Sequence, residues 1–252
     1  MKIPLIIAHR GASGDAPENT LAAFRLALDC GADMIELDLH QSKDGALVIC
    51  HDLKLYRTAR TRKTIKQLTL KELKRLDVGR WFHPRFSGET IPTLEEVLKL
   101  TVNRIQLNIE IKKGSPFYPG IEERLVKLLE SFRMIESVRV SSFDDHALDT
   151  VRALNPRVSI GLLAERGDIE QLIRKASGLS ASSLNLYTQL VTPGLVQEAH
   201  RHKLQVCVYT VNQVRLMNYY LLMGVDGIFT NFPGRLAQLL ERQKTLRKSV
   251  EL

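Results

Sequence analysis

The stretch Met34-Ile-Glu-Leu-Asp-Leu-His-Gln-Ser-Lys-Asp-Gly-Ala-Leu-Val-Ile-Cys-His-Asp52 decides how this chain folds. Ile35, Leu37 and Leu39 alternate with Glu36, Asp38 and His40. That period of two belongs to a strand. The apolar face can pack on helices. The other face lines up two carboxylates, which a protein interior tolerates only with a cation or a bound proton. Lys43-Asp44-Gly45 predicts a turn, because Asp-Gly is a strong hairpin signal. Ala46 to Cys50 then returns as a second strand and delivers His51-Asp52 near the carboxylates.

Outward from this hairpin, strand and helix alternate. Lys2 to Ala8 is a short apolar strand that ends at His9-Arg10-Gly11. Pro17-Glu18-Asn19-Thr20 suits a helix start, with proline in the first turn. Lys54 to Ile91 is basic and turn-rich, carries Trp81, and reads as an insertion with one short helix over Leu70 to Leu76. A helix follows from Pro92 to Leu100, with Thr93 as its cap. The core strands are expected to begin near Leu5, Met34, Gln106, Val138, Val158, Ser183, Gln205 and Gly227. Helices separate them, the last over Pro233 to Leu240. Asp145-His146 reads as a helix cap. Eight strand–helix units predict an α/β fold, a (β/α)8 barrel with a small insertion (54–91) after the second-strand hairpin, in one domain over residues 1–252. An open doubly wound sheet is the alternative.

The 252 residues can bury a sizeable core, and 44% hydrophobic with 25% charged residues is ordinary for a globular protein. No apolar run reaches the roughly 18 residues that cross a membrane. Pro4 to Ala8 is too short for a signal-peptide core. A cytoplasmic protein without stable membrane insertion is therefore expected. Cys30, Cys50 and Cys207 have no metal-ligand spacing and read as reduced core residues. The formal charge of +8 favours anionic ligands. Basic density lies at Arg57 to Lys74 and in the tail from Arg242 to Lys248, but no aromatic residue interleaves with the tail. Nucleic acid is not the expected partner.

Asn108-Ile-Glu-Ile-Lys112 repeats the pattern of the central strand. If the two strands are neighbours in a barrel, Glu36, Asp38 and Glu110 converge near its carboxyl-terminal rim. Three carboxylates suit a hard divalent cation, Mg²⁺ or Ca²⁺; zinc would want nitrogen ligands that no close histidine pair supplies. Salt bridges to Arg10 and Lys112 are the plain alternative. His9 and His51 each end a strand and can divide acid and base roles near neutral pH. Arg10 and Lys112 add fixed positive charge where a phosphate's developing charge would need it. Cys50 precedes His51 but points to the opposite strand face, so it reads as core. His200 and His202 read as surface residues.

These residues carry a family resemblance. His9-Arg10-Gly11, Pro17-Glu18-Asn19-Thr20, Glu36-Leu37-Asp38, His51-Asp52 and Glu110-Ile111-Lys112 stand in the order found in glycerophosphodiester phosphodiesterases. Ser141-Ser142-Phe143, Tyr209-Thr210-Val211-Asn212 and Gly224-Val225-Asp226-Gly227-Ile228 continue it, so the likeness covers almost the whole chain. The resemblance implies a (β/α)8 barrel, a divalent metal, and hydrolysis of small glycerophosphodiesters to glycerol 3-phosphate and an alcohol. Carried over by position, it implies His9 and His51 as the acid–base pair, Glu36, Asp38 and Glu110 as metal ligands, and Arg10 and Lys112 as phosphate contacts. Phe143 and Tyr209 are pocket residues on the same ground. Family members often have Trp at Tyr209 and Asp at Asn231; both departures are expected to bear on the alcohol pocket. A lysophospholipase D-like enzyme and a non-catalytic phosphate-binding barrel are the rival readings. Of the two histidines His51 is the choice for acid, since a hairpin tip could lean over the leaving group, and the oligomeric state is left open.

Overall fold

The computed structural model describes residues 3–250, with side chains through residue 245. The chain forms eight parallel strands in a closed ring plus one antiparallel strand outside it. The strands are β1 (Leu5–Ala8), β2 (Met34–Gln41), β3 (Leu47–Ile49), β4 (Gln106–Ile111), β5 (Val138–Ser142), β6 (Ser159–Ala164), β7 (Ser183–Tyr187), β8 (Gln205–Tyr209) and β9 (Gly227–Thr230). They run in the order β1-β9-β8-β7-β6-β5-β4-β2, and a β1–β2 pairing closes the ring. The expected barrel is thus the observed fold, and the open sheet is excluded. β3 pairs antiparallel with the end of β2, with Leu39 opposite Ile49 and Gln41 opposite Leu47.

The alternation in β2 has the predicted consequence. Ile35, Leu37 and Leu39 are fully buried beneath the outer helices, in one core with Leu107, Ile109 and Val140. Truncating a side chain such as Leu37 to alanine would cost about 2–5 kcal/mol. The opposite residues face into the ring. Register places Glu36 beside Asn108 and Asp38 beside Glu110. Lower in the ring the interior is partly polar: Asn108 donates to Ser141 Oγ at 2.8 Å, and Arg139 donates to Gln205 Oε1 at 2.6 Å. Gly161 makes room for this layer, since a Cβ there would sit 2.8 Å from the Asn185 amide.

Several elements differ from expectation at their ends. The first helix is Leu21–Asp29, capped by Thr20, whose side chain accepts from the Ala23 N–H. Pro17, Glu18 and Asn19 therefore lie outside it, because Asn19 has φ +56, which no helix accommodates. Asp144, not Asp145, caps the helix Asp145–Leu154, accepting from the N–H groups of His146 and Ala147. Thr93 does cap Leu94–Thr101, in a reciprocal box with Glu96. The helix expected over Leu70 to Leu76 closes at Leu73, and the insertion carries a second short helix, Tyr56–Ala59. Its apolar side chains gather into a small core with Val48, Cys50, Leu55, Ile65, Leu73 and Ile91. The last helix continues to Val250. Lys2 and the side chains of Arg247 and Lys248, part of the predicted basic tail, lie outside the described residues. Among the described residues no helix is long and apolar enough to cross a membrane.

Candidate active site

The carboxyl ends of β1, β2 and β4 build the centre of the site. β1 ends at Ala8, and the chain turns sharply through Arg10 (φ +56) and Gly11 (φ +81). A Cβ on Gly11 would sit 2.7 Å from the backbone of Ala23, so only glycine serves there. The turn aims the Arg10 backbone N–H at Glu36 Oε2, 2.7 Å away. Asn19 is the second non-glycine residue of the loop in the left-handed region, and its N–H donates to the Arg10 carbonyl at 3.0 Å. Its side-chain amide donates to Asp38 Oδ2 at 2.6 Å. Two residues in a costly conformation thus serve one carboxylate cluster, as is common at functional sites.

Glu36, Asp38 and Glu110 are buried, and each offers a carboxylate oxygen within 4.8 Å of the other two. Two cations answer them. Arg10 Nε lies 3.3 Å from Asp38 Oδ2. Lys112 Nζ lies 2.7 Å from Glu110 Oε1 and 3.4 Å from Asp38 Oδ1. Three acids against two bases leave the cluster short of positive charge. Burial pushes Glu110 up to about 7, with repulsion from Asp38 adding to it. Burial, Asp38 and Glu110 also push Glu36 well above the usual carboxylate range. Asp38 goes the other way: burial works against its charge, but Arg10 and Lys112 hold it below the ordinary value. Among the described residues Asp38 Oδ1 and Glu110 Oε1 accept no hydrogen bond of normal geometry, and the Lys112 ammonium lies 3.4 and 2.7 Å from them. A divalent cation fits this donor set, since it would replace the retained proton and take up all-oxygen ligands.

The two histidines sit on the wall of the same pocket, a cavity of about 330 Å³. His9 Nδ1 meets Asn231 Oδ1 at 2.8 Å. The amide oxygen can only accept, so Nδ1 carries the proton and Nε2 keeps a free lone pair. Burial, helped by the charge of Arg10, pushes the His9 pKa down to about 4. His51 Nδ1 meets a carboxylate instead, Asp52 Oδ1 at 2.9 Å. That partner compensates positive charge on the ring. Phe143 and Tyr209 line the same cavity, with Glu165, Tyr187 and Phe229. The Tyr209 hydroxyl donates to the Ala164 carbonyl at 3.1 Å, so it holds the wall.

All nine residues singled out in the sequence therefore meet at one rim. Cys50 is buried beside them, and burial together with Asp38 pushes its thiol up to about 12, so it offers no thiolate. His200 is exposed, as read from the sequence, and its Nε2 lies 2.7 Å from the buried Asp226 carboxylate. Asn231 does not line the cavity as expected of a pocket residue; it is the partner of His9. Sequence reading missed Glu18, Asn19, His40, Asp52 and Arg57. His40 Nε2 donates to the His51 carbonyl at 3.2 Å, and the Tyr118 hydroxyl donates to its Nδ1 at 2.9 Å. The available signal was position: Asn19 lies in a quoted motif, Asp52 follows His51, and His40 shares the polar face of β2.

Comparison with known proteins gives the family. The family model described as the glycerophosphoryl diester phosphodiesterase family matches residues 9–235. A glycerophosphodiester phosphodiesterase of Caldanaerobacter subterraneus subsp. tengcongensis is 41% identical over 239 residues, covering 94% of this chain and 98% of its own. One from Bacillus altitudinis is 38% identical over 95% of this chain and 99% of its own. An Oleispira antarctica phosphodiesterase, solved in complex with the product sn-glycerol-3-phosphate, superposes with a TM-score of 0.89 at 30% identity, covering 95% of this chain and 97% of that one. With a match that begins at His9, runs through both histidines and all three acids, and ends beyond Asn231, the chain belongs to the glycerophosphoryl diester phosphodiesterase family.

Proposed function

We propose that this chain hydrolyses small glycerophosphodiesters to glycerol 3-phosphate and an alcohol, with a divalent cation and with His9 and His51 as base and acid. The observation that carries the reading is the convergence of three buried carboxylates, two fixed cations and two histidines on one cavity. Binding a phosphate needs the cations alone; it does not need two imidazoles with differently charged partners.

Glu36, Asp38 and Glu110 would hold the cation, Mg²⁺ or Ca²⁺. When bound, it supplies electrostatic stabilisation of a phosphate oxygen and makes a nearby hydroxyl more acidic. Arg10 and Lys112 neutralise the charge that builds on the phosphoryl oxygens. His9, neutral and with Nε2 unprotonated, takes the proton of the attacking oxygen, which belongs either to the glycerol 2-hydroxyl or to water. His51, backed by Asp52, gives a proton to the departing alcohol oxygen. The two assignments follow from their partners, an amide for His9 and a carboxylate for His51.

The cytoplasm is proposed as the place of action because Cys30, Cys50 and Cys207 are all free thiols. The reaction itself is tested by incubating the purified protein with glycerophosphocholine. Equimolar glycerol 3-phosphate and choline support it; phosphocholine and glycerol, or no turnover with any added divalent cation, would refute it.

A further inference from the structure

We propose that Arg57, carried by the insertion, is a positioning residue for His51: its guanidinium fixes the Asp52 carboxylate that orients the imidazole. The proposal rests on the assignment of His51 as the acid.

His51 and Asp52 lie just beyond β3, in no regular element. The backbone there is tethered by the His40 bond to the His51 carbonyl, but that bond does not set the direction of the ring. The ring is set by Asp52. Its Oδ1 takes the His51 Nδ1–H at 2.9 Å, and its Oδ2 accepts from Arg57 Nε at 2.7 Å. Each oxygen of the carboxylate is therefore committed, one to the ring and one to the arginine. The other edge of the guanidinium is fixed as well. Arg57 Nη1 and Nη2 donate to the two oxygens of Glu18, both at 2.7 Å. Glu18 in turn accepts from Arg10 Nη1 at 3.1 Å. One planar fork thus braces the imidazole against the loop that carries Arg10 and Asn19. A lysine ammonium donates from a single atom and cannot reproduce the planar fork that holds Asp52 Oδ2 and both Glu18 oxygens in fixed directions.

The insertion holds the fork from behind. The Trp81 ring lies 5.5 Å from the Arg57 guanidinium carbon. Trp81 is placed by a loop gathered on Asp77. Oδ1 of Asp77 accepts from the N–H groups of Gly79 and Arg80, and Oδ2 accepts from Ser87 Oγ and the Gly88 N–H. A Cβ on Gly79 would strike the Phe86 carbonyl oxygen at 2.0 Å, so the turn is closed to other residues. The segment read from the sequence as a basic, turn-rich insertion therefore connects to the chemistry through one side chain.

A surface ion-pair network that only adds stability would carry the same bonds, since Arg57 is 42% exposed. Such networks contribute little to stability, and they have no reason to follow the leaving group. The experiment compares wild type, Arg57→Lys, Arg57→Gln, His51→Ala and the Arg57→Gln/His51→Ala double variant. Substrates are glycerophosphocholine and the p-nitrophenyl ester of glycerol 3-phosphate, with metal affinity measured by calorimetry. Both Arg57 variants are expected to lose roughly 10- to 100-fold in kcat on glycerophosphocholine, the span typical of residues that orient a reacting group. KM and metal affinity should stay within about threefold, and the loss should shrink on the nitrophenyl ester, whose oxygen needs little protonation. In the double variant, Arg57→Gln should add almost nothing to His51→Ala, because the two act as a unit. Wild-type kcat in Arg57→Lys, an equal loss on both substrates, or additive losses would overturn the proposal while His51→Ala still shows its own defect. If His51→Ala itself keeps its rate on glycerophosphocholine, the acid assignment fails, and the positioning role with it.

Discussion

Nδ1 of His9 donates to the side-chain oxygen of Asn231 across 2.8 Å, a neutral partner for a histidine whose pKa burial and Arg10 push down to about 4. A base must be unprotonated to act, so the acid limb of the kcat/KM profile should lie near pH 4. Asn231→Asp puts a carboxylate behind the ring. That favours the protonated imidazole, raises the pKa and moves the acid limb to higher pH. An acid limb that stays in place in Asn231→Asp would contradict the assignment of His9 as base.

The three acids give a prediction about metal. Removing divalent cations should abolish turnover, and Mg²⁺ or Ca²⁺ should restore it. Glu110→Gln removes one negative charge and should weaken metal binding at least tenfold by calorimetry, with circular dichroism unchanged. Full activity in excess chelator, with metal-free protein confirmed by elemental analysis, would contradict the metal-dependent mechanism. Unfolding of Glu110→Gln would return Glu110 to a salt-bridge role with Lys112.

The cavity predicts the kind of alcohol. Glu165, Tyr187, Tyr209 and Phe143 share its lining with Arg10 and Lys112. A carboxylate among aromatic faces attracts a cationic group. Glycerophosphocholine and glycerophosphoethanolamine should be cleaved faster than lysophospholipids presented below micelle formation. Glu165→Gln should lower kcat/KM for the choline ester by a few-fold relative to a neutral alcohol ester. Preference for the lysolipid would favour a lysophospholipase D-like enzyme.

His40 predicts a pH-dependent stability. Burial pushes its pKa down to about 4, against an ordinary value of 6.5. Between those values the unfolded chain binds a proton that the folded chain refuses. Stability from this residue is therefore complete above about pH 6.5 and is lost as the pH falls toward 4. His9 has the same sign. His40→Gln can still donate to the His51 carbonyl and accept from Tyr118, but does not titrate. Urea unfolding between pH 4 and 7 should show a shallower slope in His40→Gln, by up to about 1.4 kcal/mol per pH unit. Identical slopes would show that His40 is not the group responsible.

The barrel was legible because its signals are local and periodic. The alternation of β2, its echo in β4 and the regular return of apolar segments placed the starts of the core strands to within about one residue, Val158 against an observed start at Ser159, although the first apolar segment, read as a strand from Lys2, is among the described residues a strand only over Leu5–Ala8. The acids and histidines were legible for the same reason, since each ends or faces a strand. What escaped was carried by loops. Arg57 looked like one more basic residue in a basic segment, and its partners Glu18 and Asp52 are 39 and 5 residues away. Asn231 was read only as a departure from the family pattern, whereas its partner is set by the closure of β9 on β1. No periodicity reports such contacts; only ring closure brings them together.

The most direct test of the account is the division of labour between the histidines. His9→Ala and His51→Ala are assayed with glycerophosphocholine and with the p-nitrophenyl ester of glycerol 3-phosphate. Each should lose roughly 10²–10⁴-fold in kcat on the choline ester while still binding metal. His51→Ala should regain much of its rate on the nitrophenyl ester, and His9→Ala should not. Near wild-type rates for both variants on glycerophosphocholine would contradict the two-histidine mechanism, and rescue of His9→Ala alone would reverse the assignment of acid and base.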